Sequence, residues 1–249
     1  MGARTPAFRF ASASRTHVGR VRKRNEDAVL ERPDLGLWAV ADGMGGHERG
    51  DYASRQIVGS LNETAAPTSG AAFLRDVKTR LSAVNQTLRS AALAAGHDAM
   101  IGSTVVALLA FEGSYCCVWA GDSRFYLLRN GELRQITRDH SYVQELIDKG
   151  EPAPEALDSH RFDNVVTNAV GAGEELVLDE VRDRLRPDDV LLLCSDGLTR
   201  MVSDWEIARA LEENPVDAAA DRLIEETLAR GAKDNVTVVI VRCIPIDMG

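Results

Sequence analysis

Aromatic residues make up only 5% of the 249 positions, and no apolar run, Val105–Phe111 and Val190–Cys194 among them, approaches the roughly 20 residues needed to cross a bilayer. Positive charge is in deficit. Lys and Arg total 29 against 38 Asp and Glu, a formal charge of −9. A nucleic-acid binder needs a basic face to displace counterions from phosphates, so that class is disfavoured. Cysteine is scarce: Cys116, Cys117, Cys194 and Cys243 include no C-x-x-C pair, and the first two are adjacent. They read as buried small hydrophobes in a reducing compartment. His17, His47, His97, His140 and His160 form no H-E-x-x-H or other zinc spacing. Met1–Arg15 is mixed and dotted with Arg, without a signal-peptide core. What remains is an acidic globular chain, expected to be cytoplasmic, with no direct membrane insertion. Its hydrophobic content of 45% suffices for a core without disulfide or metal staples.

Along the chain, strand signals alternate with two separate helical blocks. Gly36–Ala41 (GLWAVA) reads as a buried strand feeding a glycine-rich loop. Helical spacing begins at Gly50, breaks at Pro67–Gly70 and resumes over Phe73–Ala95. Strands are predicted at Ser103–Phe111, Tyr115–Ala120, Phe125–Arg129 and Glu132–Ile136, with Asn130-Gly131 as a type I′ hairpin turn between the last two. His140–Lys149 reads as a helix, and Glu151–Asn168 as a polar excursion. Leu176–Val181 and Val190–Cys194 read as strands, Trp205–Leu211 and Val216–Ala229 as helices, and Val236–Cys243 as a final β-branched strand. Helices grouped in this way disfavour a doubly wound parallel sheet. The order predicts an α+β fold, two antiparallel sheets packed together with helix pairs outside. No Gly/Pro/Ser linker divides residues 1–249, so a single domain is expected.

The chemistry lies in the acidic turns. Asp42-Gly43 follows GLWAVA, Gly121-Asp122-Ser123 follows YCCVWA, Ser195-Asp196-Gly197 follows VLLLC, and Lys233-Asp234-Asn235 precedes VTVVIV. Glu26-Asp27 precedes Ala28–Leu30. Any one of these is adequately explained as turn chemistry, or for Asp122 with Arg124 as a surface ion pair. Repetition points further. Strand ends are rigid mounts that can converge from distant parts of the chain. Clustered carboxylates repel one another unless cations neutralise them, and an oxygen-only donor set suits Mg²⁺ or Mn²⁺.

Arg22 through Ala28 (RKRNEDA), Ala41 through His47 (ADGMGGH), Gly102-Ser103-Thr104, Gly121-Asp122-Ser123-Arg124, Cys194 through Leu198 (CSDGL) and Asp234 through Thr237 (DNVT) together resemble the ordered motifs of the metal-dependent PPM (PP2C-type) protein serine/threonine phosphatases, compact bacterial branch. The motifs span Arg22 to Thr237 in family order. The resemblance implies a four-layer α-β-β-α sandwich and hydrolysis of phosphoserine and phosphothreonine on proteins. It implies that Asp42 bridges two Mn²⁺ or Mg²⁺ ions, with the Gly43 carbonyl completing one, and that Asp196 and Asp234 hold the first ion. Glu26 and Asp27 would bind or orient waters around the second, and Asp122 with Asp196 would hold a third, weaker ion. Arg22 would clamp the phosphate, a bidentate task for which Arg is better suited than Lys, and Asn235 would support the metal ligands. A water acidified between the ions would attack phosphorus in line, without a phospho-enzyme. No cysteine is read in the Cys-x5-Arg setting of a thiol phosphatase, and none is expected to act as nucleophile.

The sequence departs from the family at Met44, where many eukaryotic members carry a proton-donating His. His47, three residues on, reads as a turn or cap residue rather than the leaving-group acid. Glu151–Asn168 matches the position of the family's mobile flap (about residues 150–168), and Asn164 stands near where some relatives contact the third metal. The basic run Arg15, Arg20, Arg22, Lys23 and Arg24 reads as a solvated edge apart from Arg22, although it could also attract phosphorylated segments. By resemblance the partners would be phosphorylated proteins and a Hanks-type Ser/Thr kinase, and a monomer is expected. Leu35–Asp42 also resembles phosphatases of type VI secretion control. Neither the dinucleotide fingerprint nor the P-loop is present: Gly43-x-Gly45 lacks its third glycine, and Gly50 is followed by Asp51. The remaining alternative is a catalytically silent phosphoprotein-binding scaffold of the same fold.

Overall fold

The structure is a computed structural model that describes residues 8–45, 49–96, 100–150 and 165–246. Eleven strands form two antiparallel sheets among the described residues. One sheet has the order β1-β11-β10-β7-β8, built from β1 (Phe8–His17), β7 (Arg124–Arg129), β8 (Glu132–Gln135), β10 (Val190–Cys194) and β11 (Val236–Pro245). The other runs β2-β3-β5-β6-β9, from β2 (Asp27–Arg32), β3 (Leu37–Met44), β5 (Val105–Phe111), β6 (Ser114–Ala120) and β9 (Asp179–Arg184), with β4 (Gly102–Ser103) paired to the end of β3. The helices are α1 (Gly50–Asn62), α2 (Gly70–Ala95), α3 (Tyr142–Asp148), the short α4 (Asp196–Thr199), α5 (Asp204–Glu213) and α6 (Val216–Ala229).

Three apolar layers hold this stack together. Ile57, Leu61, Phe73, Val77 and Leu81 of α1 and α2 pack on Leu37, Ala39, Ala107 and Val118 of the second sheet. Ile207, Leu211, Ala219 and Leu223 of α5 and α6 pack on Leu192, Cys194, Val238 and Ile240 of the first. Between the sheets lie Trp38, Val40, Val106, Leu108, Phe125, Leu191, Leu193, Val239 and Val241. Successive residues of β3, β5, β10 and β11 thus alternate between two dry layers, which is why VVALLAF and VLLLC are apolar throughout despite antiparallel pairing. Each fully buried Leu or Ile contributes about 1.5–3 kcal/mol. The expected α-β-β-α sandwich is the one found.

The hairpin at Asn130-Gly131 is present, with φ of 52° and 78° at the two residues, as a type I′ turn requires. Two elements correct the sequence reading. β1, largely within the stretch Met1–Arg15 read only as mixed, pairs along ten residues with β11; beyond Phe8 and Phe10 its apolar residues are only alanines, which give little signal. The strand expected at Leu176–Val181 instead occupies Asp179–Arg184. Leu176 and Leu178 pack against the core layer beneath α1 and α2, and the ladder begins at Asp179 opposite Trp119. β9 is an edge strand of mostly charged residues, a composition that guards edges but conceals them from hydrophobicity. The strand expected at Ser103–Phe111 divides at Thr104, whose N–H donates to the Asp42 carbonyl at 2.9 Å while its Oγ1 accepts the Asp42 N–H at 3.1 Å.

Candidate active site

One end of the sandwich gathers the acidic turns. Asp42 lies near the end of β3, Asp122 in the β6–β7 turn, Asp196 after β10, Asp234 just before β11 and Glu26 just before β2. A cleft of about 470 Å³ is lined by Arg22, Glu26, Asp42, Gly43, Asp122, Asp196, Asp234 and Asn235, and Met44, Met100, Thr104, Val165, Val166 and Arg200 complete its walls. Every expected site residue except Asp27 therefore faces a single space, supplied by both sheets. Asp27 lies beneath, opposite Asp42 in the β2–β3 register. It is 7% exposed, and its Oδ2 accepts hydrogen bonds from Ser195 Oγ at 2.9 Å and Thr237 Oγ1 at 2.7 Å. His47, Asn164 and residues 151–164 of the expected flap lie outside the described residues.

Close backbone approach explains the glycines. A Cβ on Gly43 would stand 2.0 Å from the Gly50 carbonyl oxygen, and one on Gly197 1.8 Å from that of Asn235. The Gly43 N–H donates to the Glu26 carbonyl at 3.1 Å, fixing the Glu26 loop against β3. Asn235, 5% exposed, organises the other side. Its Oδ1 accepts the Glu26 N–H at 2.8 Å, and its Nδ2 donates to the carbonyls of Val18 and Arg24 at 2.9 Å each. It thus ties together the loop carrying Arg22 and Glu26.

The electrostatics are those of crowded acids. Burial pushes the Asp42 carboxyl well above its ordinary range, and Asp27, Asp196, Asp122 and Asp234 push it further. Burial raises Asp122 to about 7, with Asp196 adding to the effect. Burial raises Asp27 to about 7 as well, against the pull of its two hydroxyl partners. Two guanidiniums moderate the charge: Arg22 donates to Asp234 Oδ2 at 2.7 Å, and Arg200 lies 2.5 Å from Asp196 Oδ2. Arg200 was missed from the sequence, although its place four residues after Asp196 at a helical turn was a usable signal.

Among the described residues, no three His, Cys, Asp or Glu side chains already converge as they would around one ion; Asp234 is turned to Arg22 and Asp196 to Arg200. The donor set nevertheless fits a hard cation. It is all oxygen, its members repel one another, and Asp27 Oδ1 and Asp196 Oδ1 are buried without a hydrogen-bond partner.

Cys194 and Arg200 stand in Cys-x5-Arg spacing (CSDGLTR), that of thiol phosphatases, which the sequence reading overlooked. The structure removes its significance. Cys194 is fully buried on the helix-facing side of β10, burial pushes its thiol up to about 12, and Arg200 is engaged with Asp196. All four cysteines are free; Cys117, Cys194 and Cys243 are buried as expected, whereas Cys116, also read as buried, is only half-buried.

The chain matches the family described as protein phosphatase 2C over residues 16–237. The chain belongs to the protein phosphatase 2C family. It is 38% identical to the serine/threonine protein phosphatase PstP of Mycobacterium tuberculosis over 237 residues, 95% of this chain but 46% of PstP, so it spans about half the length of that relative. It is 35% identical to the serine/threonine phosphatase Stp of Listeria monocytogenes, covering 91% of this chain and 93% of Stp. Among solved structures, PppA, described as a key regulatory component of the type VI secretion system in Pseudomonas aeruginosa, superposes with a TM-score of 0.88 at 45% identity, covering 96% of this chain and 99% of PppA. The PstP catalytic domain in complex with two manganese ions superposes with a TM-score of 0.84 at 36% identity, covering 96% of this chain and all of that domain. Phosphatase 2C membership thus accounts for the sandwich. No described helix is long and apolar enough to cross a membrane.

Proposed function

We propose that this chain is a metal-dependent protein serine/threonine phosphatase, with residues 1–249 acting as one catalytic unit. The observation that carries the reading is the cleft itself, where acids from both sheets meet beside Arg22 and two buried carboxylate oxygens, Asp27 Oδ1 and Asp196 Oδ1, lack a partner. The two manganese ions of the PstP catalytic domain support the metal assignment. Here Asp42, the Gly43 carbonyl, Asp196 and Asp234 would hold two Mn²⁺ or Mg²⁺ ions. Glu26 and Asp27 would complete the surroundings of the second, and Asp122 with Asp196 would hold a weaker third. Bound there, the ions would acidify a water near neutral pH and offset charge on the phosphoryl oxygens.

The protein's own groups do the rest. Arg22, more than half exposed at the cleft mouth, is held in place by Asp234 and presents its remaining N–H donors to phosphate. Asn235 keeps the Arg22 loop fixed, so a phosphoester meets a preorganised donor. Met44 carries no proton to give the departing alkoxide, and in this reading a water within the cleft supplies it. Cys194 is sealed away, which leaves direct attack by water rather than a phosphorylated cysteine.

The substrates of this reading are phosphoproteins modified by a Hanks-type Ser/Thr kinase. The likeness to PppA supports a place in type VI secretion control. A silent phosphoprotein-binding scaffold would be expected to lack one of the central acids, whereas Asp42, Asp196 and Asp234 are all present. The test is phosphate release from a phosphothreonine peptide in Mn²⁺ and in EDTA. Release in Mn²⁺ and none in EDTA is the expected result, and a folded protein that releases none in Mn²⁺ contradicts the reading.

A further inference from the structure

His140 is outside the cleft lining but is tied at several points to the turn that carries Asp122. The Gly121 N–H donates to His140 Nδ1 at 3.1 Å, and the His140 N–H donates to the Gly121 carbonyl at 2.9 Å. With Nδ1 accepting, the neutral ring carries its proton on Nε2, 3.2 Å from Asp179 Oδ2 on β9. The ring stacks on Trp119 with centroids 6.2 Å apart and planes 16° apart, and the Trp119 Nε1–H donates to the Arg138 carbonyl at 2.9 Å. On the far side of the turn, Asp139 grips Arg124, with Nε 3.0 Å and one terminal nitrogen 2.8 Å from Asp139 Oδ2. Gly121 and Arg124 are thus both held by consecutive residues, Asp139 and His140, and Asp122 lies between them.

The turn has little freedom to settle elsewhere. Gly121 is at φ +117°, and a Cβ there would stand 2.5 Å from Thr104 Cβ. Thr104 Oγ1 bonds Ser123 Oγ at 2.7 Å and also accepts the Asp42 N–H. His140 and the two residues after it receive the chain returning after α3. The Thr167 N–H donates to the His140 carbonyl at 2.9 Å, Ser141 bridges Val166, and the Tyr142 N–H donates to the Val165 carbonyl at 2.9 Å. Asn168 Nδ2 lies 3.3 Å from His140 Nδ1. Val165 and Val166 are themselves walls of the cleft.

We propose that His140, with Asp139, is a positioning clamp that sets the Asp122 carboxylate and ties it to the cleft wall at Val165–Asn168. The metal-binding part of this proposal rests on the phosphatase reading, in which Asp122 holds the weaker third ion. His140 touches neither substrate nor metal in this account; it acts through Gly121.

The test has two independent readouts on chelator-treated protein. First, Mn²⁺ is titrated calorimetrically into the wild type, Asp122→Ala, His140→Ala and His140→Asn. The Oδ1 of Asn can replace Nδ1 as acceptor for the Gly121 N–H. The wild type is expected to show tight binding followed by a weak step that Asp122→Ala removes. His140→Ala weakens that step about tenfold and leaves the tight step unchanged, while His140→Asn restores most of it. Second, amide exchange over residues 119–124 accelerates at least about tenfold in His140→Ala, whether or not metal binds. If wild type binds no Mn²⁺ and hydrolyses nothing, the phosphatase reading fails and the exchange result alone decides the clamp. Unchanged exchange in a folded His140→Ala protein overturns the clamp, as does an unchanged weak step where the wild type shows one. If His140→Ala does not fold, Asp179→Ala, at a half-exposed carboxylate, carries the same test with an expected two- to threefold effect.

Discussion

Thr237 donates its hydroxyl to Asp27 at 2.7 Å, joining β11 of one sheet to β2 of the other directly beneath Asp42. Ser195 donates to the same oxygen at 2.9 Å, so one strand of each sheet and the turn after β10 share one carboxylate. Floor and fold are thereby coupled, because disturbing the Asp27 contacts disturbs the packing of the sheets at the end that carries the cleft.

Replacing Thr237 with Val keeps the shape but leaves the buried Asp27 carboxylate short of a donor. Unfolding free energy from urea titration is expected to fall by about 1–3 kcal/mol. In an Asp27→Asn background the same replacement should cost measurably less, which a double-mutant cycle reads directly.

Arg22→Ala should lower kcat/KM for a phosphopeptide by about 10- to 100-fold, the effect of one charge-assisted contact. Arg22→Lys should recover only part of it, because a point charge does not reproduce the guanidinium fork. The melting temperature should hardly move, since the Arg22–Asp234 pair is half exposed and worth at most about 1 kcal/mol.

The acids give the pH dependence a definite sign. Asp27 and Asp122 are raised to about 7 and Asp42 well above its ordinary value, each first by burial, so the folded chain binds more protons than the unfolded one. The contribution of these three acids to the stability of chelator-treated protein is therefore fullest below the unfolded carboxylate range and is lost as pH rises through the folded values. Carboxylates lowered by ion pairs, such as Glu206 beside Arg230, are ionised in both states above about pH 5.5 and do not offset the decline. Thermal melts in EDTA should fall from pH 5.5 to 8. The rise on adding Mn²⁺ should grow over the same range, because cations replace the bound protons. A melting temperature that rises with pH in EDTA would contradict the account.

Gly197→Ala places a Cβ 1.8 Å from the Asn235 carbonyl, which cannot move without dragging Asp234. The expected outcome is a loss of about 1–3 kcal/mol in stability, read by urea titration, together with weaker Mn²⁺ binding.

Much of this was legible in the residues. Fully buried strands such as VLLLC are apolar on both faces, long helices show their 3.6-residue period, and each acid sits beside a turn residue at a strand end. The motif series then gave the family and a site that the cleft assembles almost whole. What escaped is physically coherent. β9 is an edge strand of mostly charged residues, and β1 is an edge strand whose residues are small or polar apart from Phe8 and Phe10, so hydrophobicity marks neither strongly. The place of Asp27 beneath rather than within the cleft depends on the β2–β3 register, which no local pattern encodes. Cys194 and Arg200 show the converse, a chemically suggestive spacing that only burial could discount.

The central claim is that Asp42, Asp196 and Asp234 form a site for two metal ions. Its most direct test is calorimetric titration of Mn²⁺ into chelator-treated wild type and Asp42→Asn, with turnover of a phosphothreonine peptide measured on the same samples. The account predicts two tight equivalents and turnover in the wild type, with loss of at least one equivalent and of about 10³-fold or more in turnover in the variant. Two tight equivalents and undiminished turnover in Asp42→Asn would contradict it.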